Sequence, residues 1–195
     1  MDGDDHSSSS DCAGGGAPSI PGIIASVSTG TVNGGQLEGN PPGRIWSGGS
    51  AAIYDSVSLR WDILTDPSFP VDFDTTPGAP PNFGALPADS FPVVRVNGAY
   101  FNPGSSWSGR GVLIVPGQLD GASDFTWNGI VLVGELDDIH ESNINGMLIS
   151  GFSGPGSYSN VYWRGRIRYY SCYVYAANES LSYLELIDNT EFETF

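Results

Sequence analysis

Between residues 93 and 170 the chain repeats one pattern, a run of four mostly apolar residues bracketed by glycine. The runs are Val93-Val94-Arg95-Val96, Val112 to Val115, Ile130 to Val133 and Met147 to Ser150; their starts lie 19, 18 and 17 residues apart, and Arg166 to Tyr169 follows after another 19. Such a period suits the coil of a small β-solenoid. Gly98, Gly117, Gly134 and Gly151 stand one or two residues beyond the runs. Gly111, Gly129 and Gly146 stand immediately before three of them, where the positive φ of a tight corner is expected.

Strand side chains alternate between faces, so positions two and four of each run share one surface. The last run settles which surface is interior, because Arg166 and Arg168 occupy positions one and three. Burying two unpaired guanidinium groups in a narrow coil costs several kcal/mol each, on the order of the penalty for any desolvated ion. Val94, Val96, Leu113, Val115, Val131, Val133, Leu148 and Ile167 therefore point inward. Val112, Ile114, Ile130, Leu132, Met147 and Ile149 point outward, flanked by Arg95 at one end and by Arg166 and Arg168 at the other. Six adjacent aliphatic side chains need a cover. Either another part of this chain supplies it, or the six form an interaction face for a partner subunit. Two segments are candidate covers: residues 55–65, with Val57, Trp61 and Leu64 at helical spacing, and residues 180–188, with Leu181, Leu184 and Ile187. The expected fold is all-β, a short right-handed single-stranded β-solenoid of about five rungs, with amino- and carboxy-terminal segments packed against it.

A chain of 195 residues forms one substantial domain, and its 27 glycines and 14 prolines suit an all-β protein with many corners. Residues 1–19 read as a flexible leader and 20–195 as a single β domain with its repeat core at 93–170. Seven prolines between 66 and 92 mark a long surface loop. The formal charge is −15, and every basic side chain except the two histidines is an arginine. Nucleic acid and anionic membranes therefore make poor partners. Lysine-dependent chemistry is excluded outright. No apolar run is long enough to span a membrane as a helix, and the polar start does not resemble a signal peptide, so no membrane insertion is expected of this chain itself. Cys12 and Cys172 stand near the two ends. In an extracellular setting they would pair, closing a long loop and stabilising the fold by about 5 kcal/mol on the chain-entropy estimate.

Candidate chemistry is sparse. Asp62, Asp66, Asp72 and Asp74 crowd one segment and are candidate oxygen ligands for Ca²⁺, although their spacing is not that of an EF-hand. His140 lies in the acidic stretch from Glu135 to Glu141, which a solvated loop explains equally well. No nucleophile elbow is present, and one usable histidine makes a hydrolytic triad improbable. Trp107 and Trp163 are candidate platforms for stacking on sugar rings. Trp127 and Ile144 each stand two residues before an equivalent glycine, which marks Trp127 as a structural stacking residue. Asn178-Glu179-Ser180 matches a glycosylation sequon. Tyrosines gather towards the carboxyl end, useful for covering a solenoid end or for subunit contacts.

The order of motifs resembles the extracellular portion of PilX-like minor pilin and pilus-assembly proteins. The resemblance rests on Phe91-Pro92-Val93-Val94-Arg95-Val96-Asn97-Gly98, on the segment from Gly111 to Leu119, on the segment from Phe125 to Gly134, and on Tyr169-Tyr170-Ser171-Cys172. It covers about half the chain, residues 91–188, and implies an extracellular, non-enzymatic structural or adhesive protein, associated with a pilus or forming a fibre through self-association or other cell-surface subunits. The alternative expectation is a carbohydrate-binding or polysaccharide-degrading solenoid module.

Overall fold

The computed structural model describes residues 23–25, 43–45, 60–121, 124–152, 160–161 and 165–181. Its strands are β1 (Ile23–Ala25), β2 (Gly43–Ile45), β3 (Phe73–Thr75), β4 (Val93–Val96), β5 (Tyr100–Phe101), β6 (Gly109–Gly121), β7 (Thr126–Ile139), β8 (Asn143–Ser150), β9 (Asn160–Val161) and β10 (Arg166–Arg168). The main sheet runs β10-β8-β7-β6-β4-β3, with β5 on β6 and β9 on β7, and every pairing is parallel. Each strand pairs with the one a single coil away, so the chain is a β-solenoid. β1 and β2 form a separate parallel pair in which Ile23 faces Gly43, also about one coil apart in sequence.

Parity along the strands divides inside from outside as the alternation predicts. Val94, Val96, Leu113, Val115, Val131 and Val133 are buried in one interior cluster, with Leu148 and Ile167 packed against it. The register aligns Val94 with Leu113, Leu113 with Val131, and Val131 with Leu148, so the aliphatic groups stack coil upon coil. Trp127 faces Ile144 in the neighbouring strand, is fully buried, and donates its indole N–H to the Gly111 carbonyl at 3.0 Å. It is a stacking residue of the interior.

Three expectations need correction. The strands are not four residues long: β6 and β7 run for 13 and 14 residues, straight through the glycines expected to mark corners. Gly111, Gly129 and Gly146 do have positive φ, at 110°, 139° and 146°, but they stand in register inside the ladder. A Cβ on Gly129 would lie 2.2 Å from the Gly111 carbonyl oxygen, so the coils close to this spacing only without side chains there. Beyond Val115 and Val133 the same strands turn onto a second face, where Leu119, Leu136 and Ile139 continue the interior. Each of these coils thus carries two strand segments rather than one.

The second correction concerns β10, where Arg166 pairs with Asn143 instead of Met147, four residues from the place that its spacing suggests. An even slip preserves which face each side chain takes, so Ile167 still points inward, opposite Ile144. The third concerns the proline-rich stretch. Most of it is exposed and irregular, as a surface loop is, but it also supplies β3 as a further coil and buries Phe83, whose ring meets that of Trp127 edge to face at 5.5 Å. The repeat therefore begins at Phe73, upstream of residue 93.

The outward aliphatic column is covered from within the chain. Val112, Ile114, Ile130 and Leu132 form a second buried cluster with Ala177 of the helix Ser171–Leu181, and Val174 and Leu181 of that helix pack against it together with Trp61, Leu64, Phe69 and Val71. Ile149 joins them, and Met147 is only partly exposed at the edge. As an interaction face for a partner, Val112, Ile114, Ile130, Leu132, Met147 and Ile149 are thus corrected: this helix and the segment from Trp61 to Val71 occupy it. Of the two candidate covers, Trp61 and Leu64 contribute from a four-residue helical turn, and Leu181 from the end of the helix. Val57, Leu184, Ile187 and the leader lie outside the described residues.

Candidate functional site

Arginine at position three of β4 faces outward, yet Arg95 is 1% exposed because the segment around Asp66 folds over it. Its Nε and Nη2 donate to the two carboxylate oxygens of Asp74 at 3.2 and 2.7 Å, and Nη1 and Nη2 donate to the carbonyls of Asp66 and Pro67 at 2.6 and 3.3 Å. A buried guanidinium needs such saturation to offset its lost hydration. Hydrogen bonds from Arg95 hold the Asp74 carboxyl below its ordinary pKa range; burial opposes them, and the Asn97 carboxamide adds a further donor.

The aspartates singled out as candidate calcium ligands are dispersed among separate tasks. Asp62 pairs with Arg60 at 2.8 Å in solvent. Asp66 accepts from the hydroxyl and the N–H of Ser68, which hold its pKa low. Asp72 accepts from the Val93 N–H at 2.8 Å, extending the ladder past the end of β3, and Asp74 serves Arg95. Among the described residues no group of three metal-ligating side chains converges, so these four candidates are not brought together as a cation site. Arg110 likewise fastens chain to chain, donating to the carbonyls of Ser90 and Pro87 at 2.8 and 2.5 Å.

Trp107 is not a glycan platform. It is 2% exposed, donates its indole N–H to Pro77 at 2.9 Å and meets Phe101 edge to face at 4.7 Å. Trp163 and Cys12 lie outside the described residues. Cys172 is the second residue of the covering helix and is not a free thiol. The His140 N–H closes the coil by donating to the Gly121 carbonyl at 3.0 Å. Asn178 stands exposed near the end of the helix.

A different set of polar groups gathers on the second face. Tyr100 is aligned with Gln118 and Gln118 with Glu135, while Phe101, Leu119 and Leu136 form the matching interior row. The Tyr100 hydroxyl donates to Oδ2 of Asp120, and Nδ2 of Asn102 donates to the same oxygen at 3.2 Å. That donation to Asp120 raises the phenol above its ordinary pKa, and the nearby charges of Asp120 and Asp137 act in the same direction. Sequence reasoning missed this row. The available signal was the polar-apolar pair two to four residues beyond each run: Tyr100-Phe101, Gln118-Leu119 and Glu135-Leu136.

A depression of about 620 Å³ opens beside Asp72, Leu86, Asp89, Phe91 and Glu179, between the proline-rich stretch and the covering helix. No helix among the described residues is long and apolar enough to cross a membrane. No family model, curated protein or solved structure matches the chain.

Proposed function

We propose that this chain is a non-enzymatic structural or adhesive subunit that acts outside the cell, as a pilus-associated or fibre-forming component. One observation carries the reading: the described side chains best suited to chemistry are used to tie coil to coil. Arg95 joins β4 to Asp74 of β3 and to the segment above it, Asp72 caps a ladder, Arg110 clasps a loop, and Trp107 and Trp127 fill the interior. A parallel ladder fastened coil to coil by its own side chains suits a scaffold better than a reaction centre. With the aliphatic column covered, self-association falls to the ends of the sheet, where β3 and β10 close the strand order among the described residues. Parallel ladders that end in open edges favour addition of a further strand. Pairing of Cys12 with Cys172 belongs to the same reading, since an oxidising extracellular setting favours disulfide formation between the two cysteines of the chain.

Light scattering across a concentration series, with electron microscopy of the concentrated samples, tests the assembly. Growth into rods or end-to-end oligomers is the expected result. A monomer at every concentration that also fails to bind pili or cell surfaces would remove the proposal.

A further inference from the structure

We infer that the second face of the solenoid is a glycan-binding strip with Tyr100 as its stacking platform, for sugars that are uncharged or amino-substituted. Tyr100 is 48% exposed, and yet it is not loose. Its hydroxyl is tethered to Asp120, so the ring is held in place before any ligand arrives. Preorganised aromatic area with planar polar groups at its rim is what the apolar face and edge hydroxyls of a pyranose require.

The rim is present. Asn102 lies on one side of the tether, donating to Asp120 while its carbonyl oxygen remains an acceptor. One carboxylate oxygen of Asp120 carries both hydrogen bonds, and the other is left to accept from a ligand. Along the axis, Gln118 and Glu135 follow Tyr100 at single-coil steps of about 4.8 Å, the spacing of neighbouring strands. An extended chain of sugar units laid along the solenoid would meet one polar side chain per coil.

Charge sets the class of sugar. Asp120, Glu135 and Asp137 contribute carboxylates, and the segments 98–103, 116–121 and 134–139 contain no lysine or arginine. A polyuronate or sulfated glycan would be repelled, whereas hydroxyls and ammonium groups find acceptors. This inference is independent of the fibre reading: a monomer can bind glycan, and a fibre need not.

Affinity electrophoresis and calorimetry of the whole chain test it, with cello-oligosaccharides, chitosan oligosaccharides and polygalacturonate as probes. Binding of either of the first two is expected, weakened at least about tenfold by Tyr100→Ala, as for a hot-spot aromatic. Tyr100→Phe keeps the ring and loses the tether, so it should fall between. Because the ring is exposed, the melting temperature of both variants should stay near that of the parent, which separates lost binding from lost fold. Failure of both oligosaccharides to bind, equal binding by Tyr100→Ala, or preference for polygalacturonate would each overturn the assignment.

Discussion

Replacing Ile130 and Leu132 together by serine distinguishes an aliphatic face that holds the protein together from one that meets a partner. Leu132 is fully buried and Ile130 nearly so, both beneath the helix that carries Ala177. Removing a buried leucine or isoleucine side chain costs about 2–5 kcal/mol. A serine hydroxyl left without a partner in the apolar gap adds about 1–3 kcal/mol more. The two positions share neighbours, so their costs are not strictly additive. Even so, the pair should lose on the order of 6–10 kcal/mol, comparable to the whole stability of a domain this size. Urea unfolding followed by circular dichroism, with light scattering in parallel, should find the double variant unfolded in buffer and Leu132→Ala folded but weakened. A double variant that keeps the parental midpoint while its association state changes would show that the helix does not seal this face.

Gly129→Ala should be severely destabilising, because a backbone at φ 139° combines with a Cβ placed 2.2 Å from the Gly111 carbonyl oxygen. The strain alone is about 1–3 kcal/mol, and a denaturation midpoint indistinguishable from the parent's would contradict the close coil spacing. Acid should weaken the Arg95–Asp74 fastening: the Asp74 pKa is lowered on folding, so its contribution is complete above the unfolded value, near 3.8, and is lost as pH falls through the folded one. Asp74→Asn should therefore have a lower melting temperature than the parent at neutral pH, with the gap narrowing below about pH 4; a gap constant with pH would refute the linkage. Thiol titration of the unreduced, denatured chain should detect no free cysteine, and reduction should lower stability by about 5 kcal/mol on the loop-entropy estimate. Two titratable thiols before reduction would rule out the bridge.

How much of this architecture was legible in the sequence depends on which physical signal each part left there. The coil period and interior parity were visible because steric alternation along a strand writes itself into residue order, and two arginines on one strand are enough to orient it. The covering helix, by contrast, begins Ser171-Cys172-Tyr173-Val174-Tyr175, a run rich in β-branched and aromatic residues whose local preference does not announce a helix. Docking decides it: Val174, Ala177 and Leu181 recur at helical spacing and meet an apolar face that already needed a cover. Arg95 shows a related limit. Strand alternation places it on the outer face, but outward is not the same as solvated when another segment crosses above, and only the distant Asp66, Pro67 and Asp74 reveal that crossing.

The Tyr100 row shows the same limit from the other side. Alternation identifies Phe101, Leu119 and Leu136 as an interior row only after the strand is known to continue past Val115 and Val133, and Pro116-Gly117 argues locally for a stop. The ladder resumes because the neighbouring coil offers its own backbone in register: the Gln118 N–H donates to the Ala99 carbonyl at 3.0 Å. A single coil read alone carries no such instruction. Once one second-face pair forms, the next coil gains a template, and the two long strands β6 and β7 are direct neighbours paired along both faces. Flanking strands alone do not set the length, because β4 lies between β3 and β6 and has four residues, and its coil takes up the second face separately as β5 on β6.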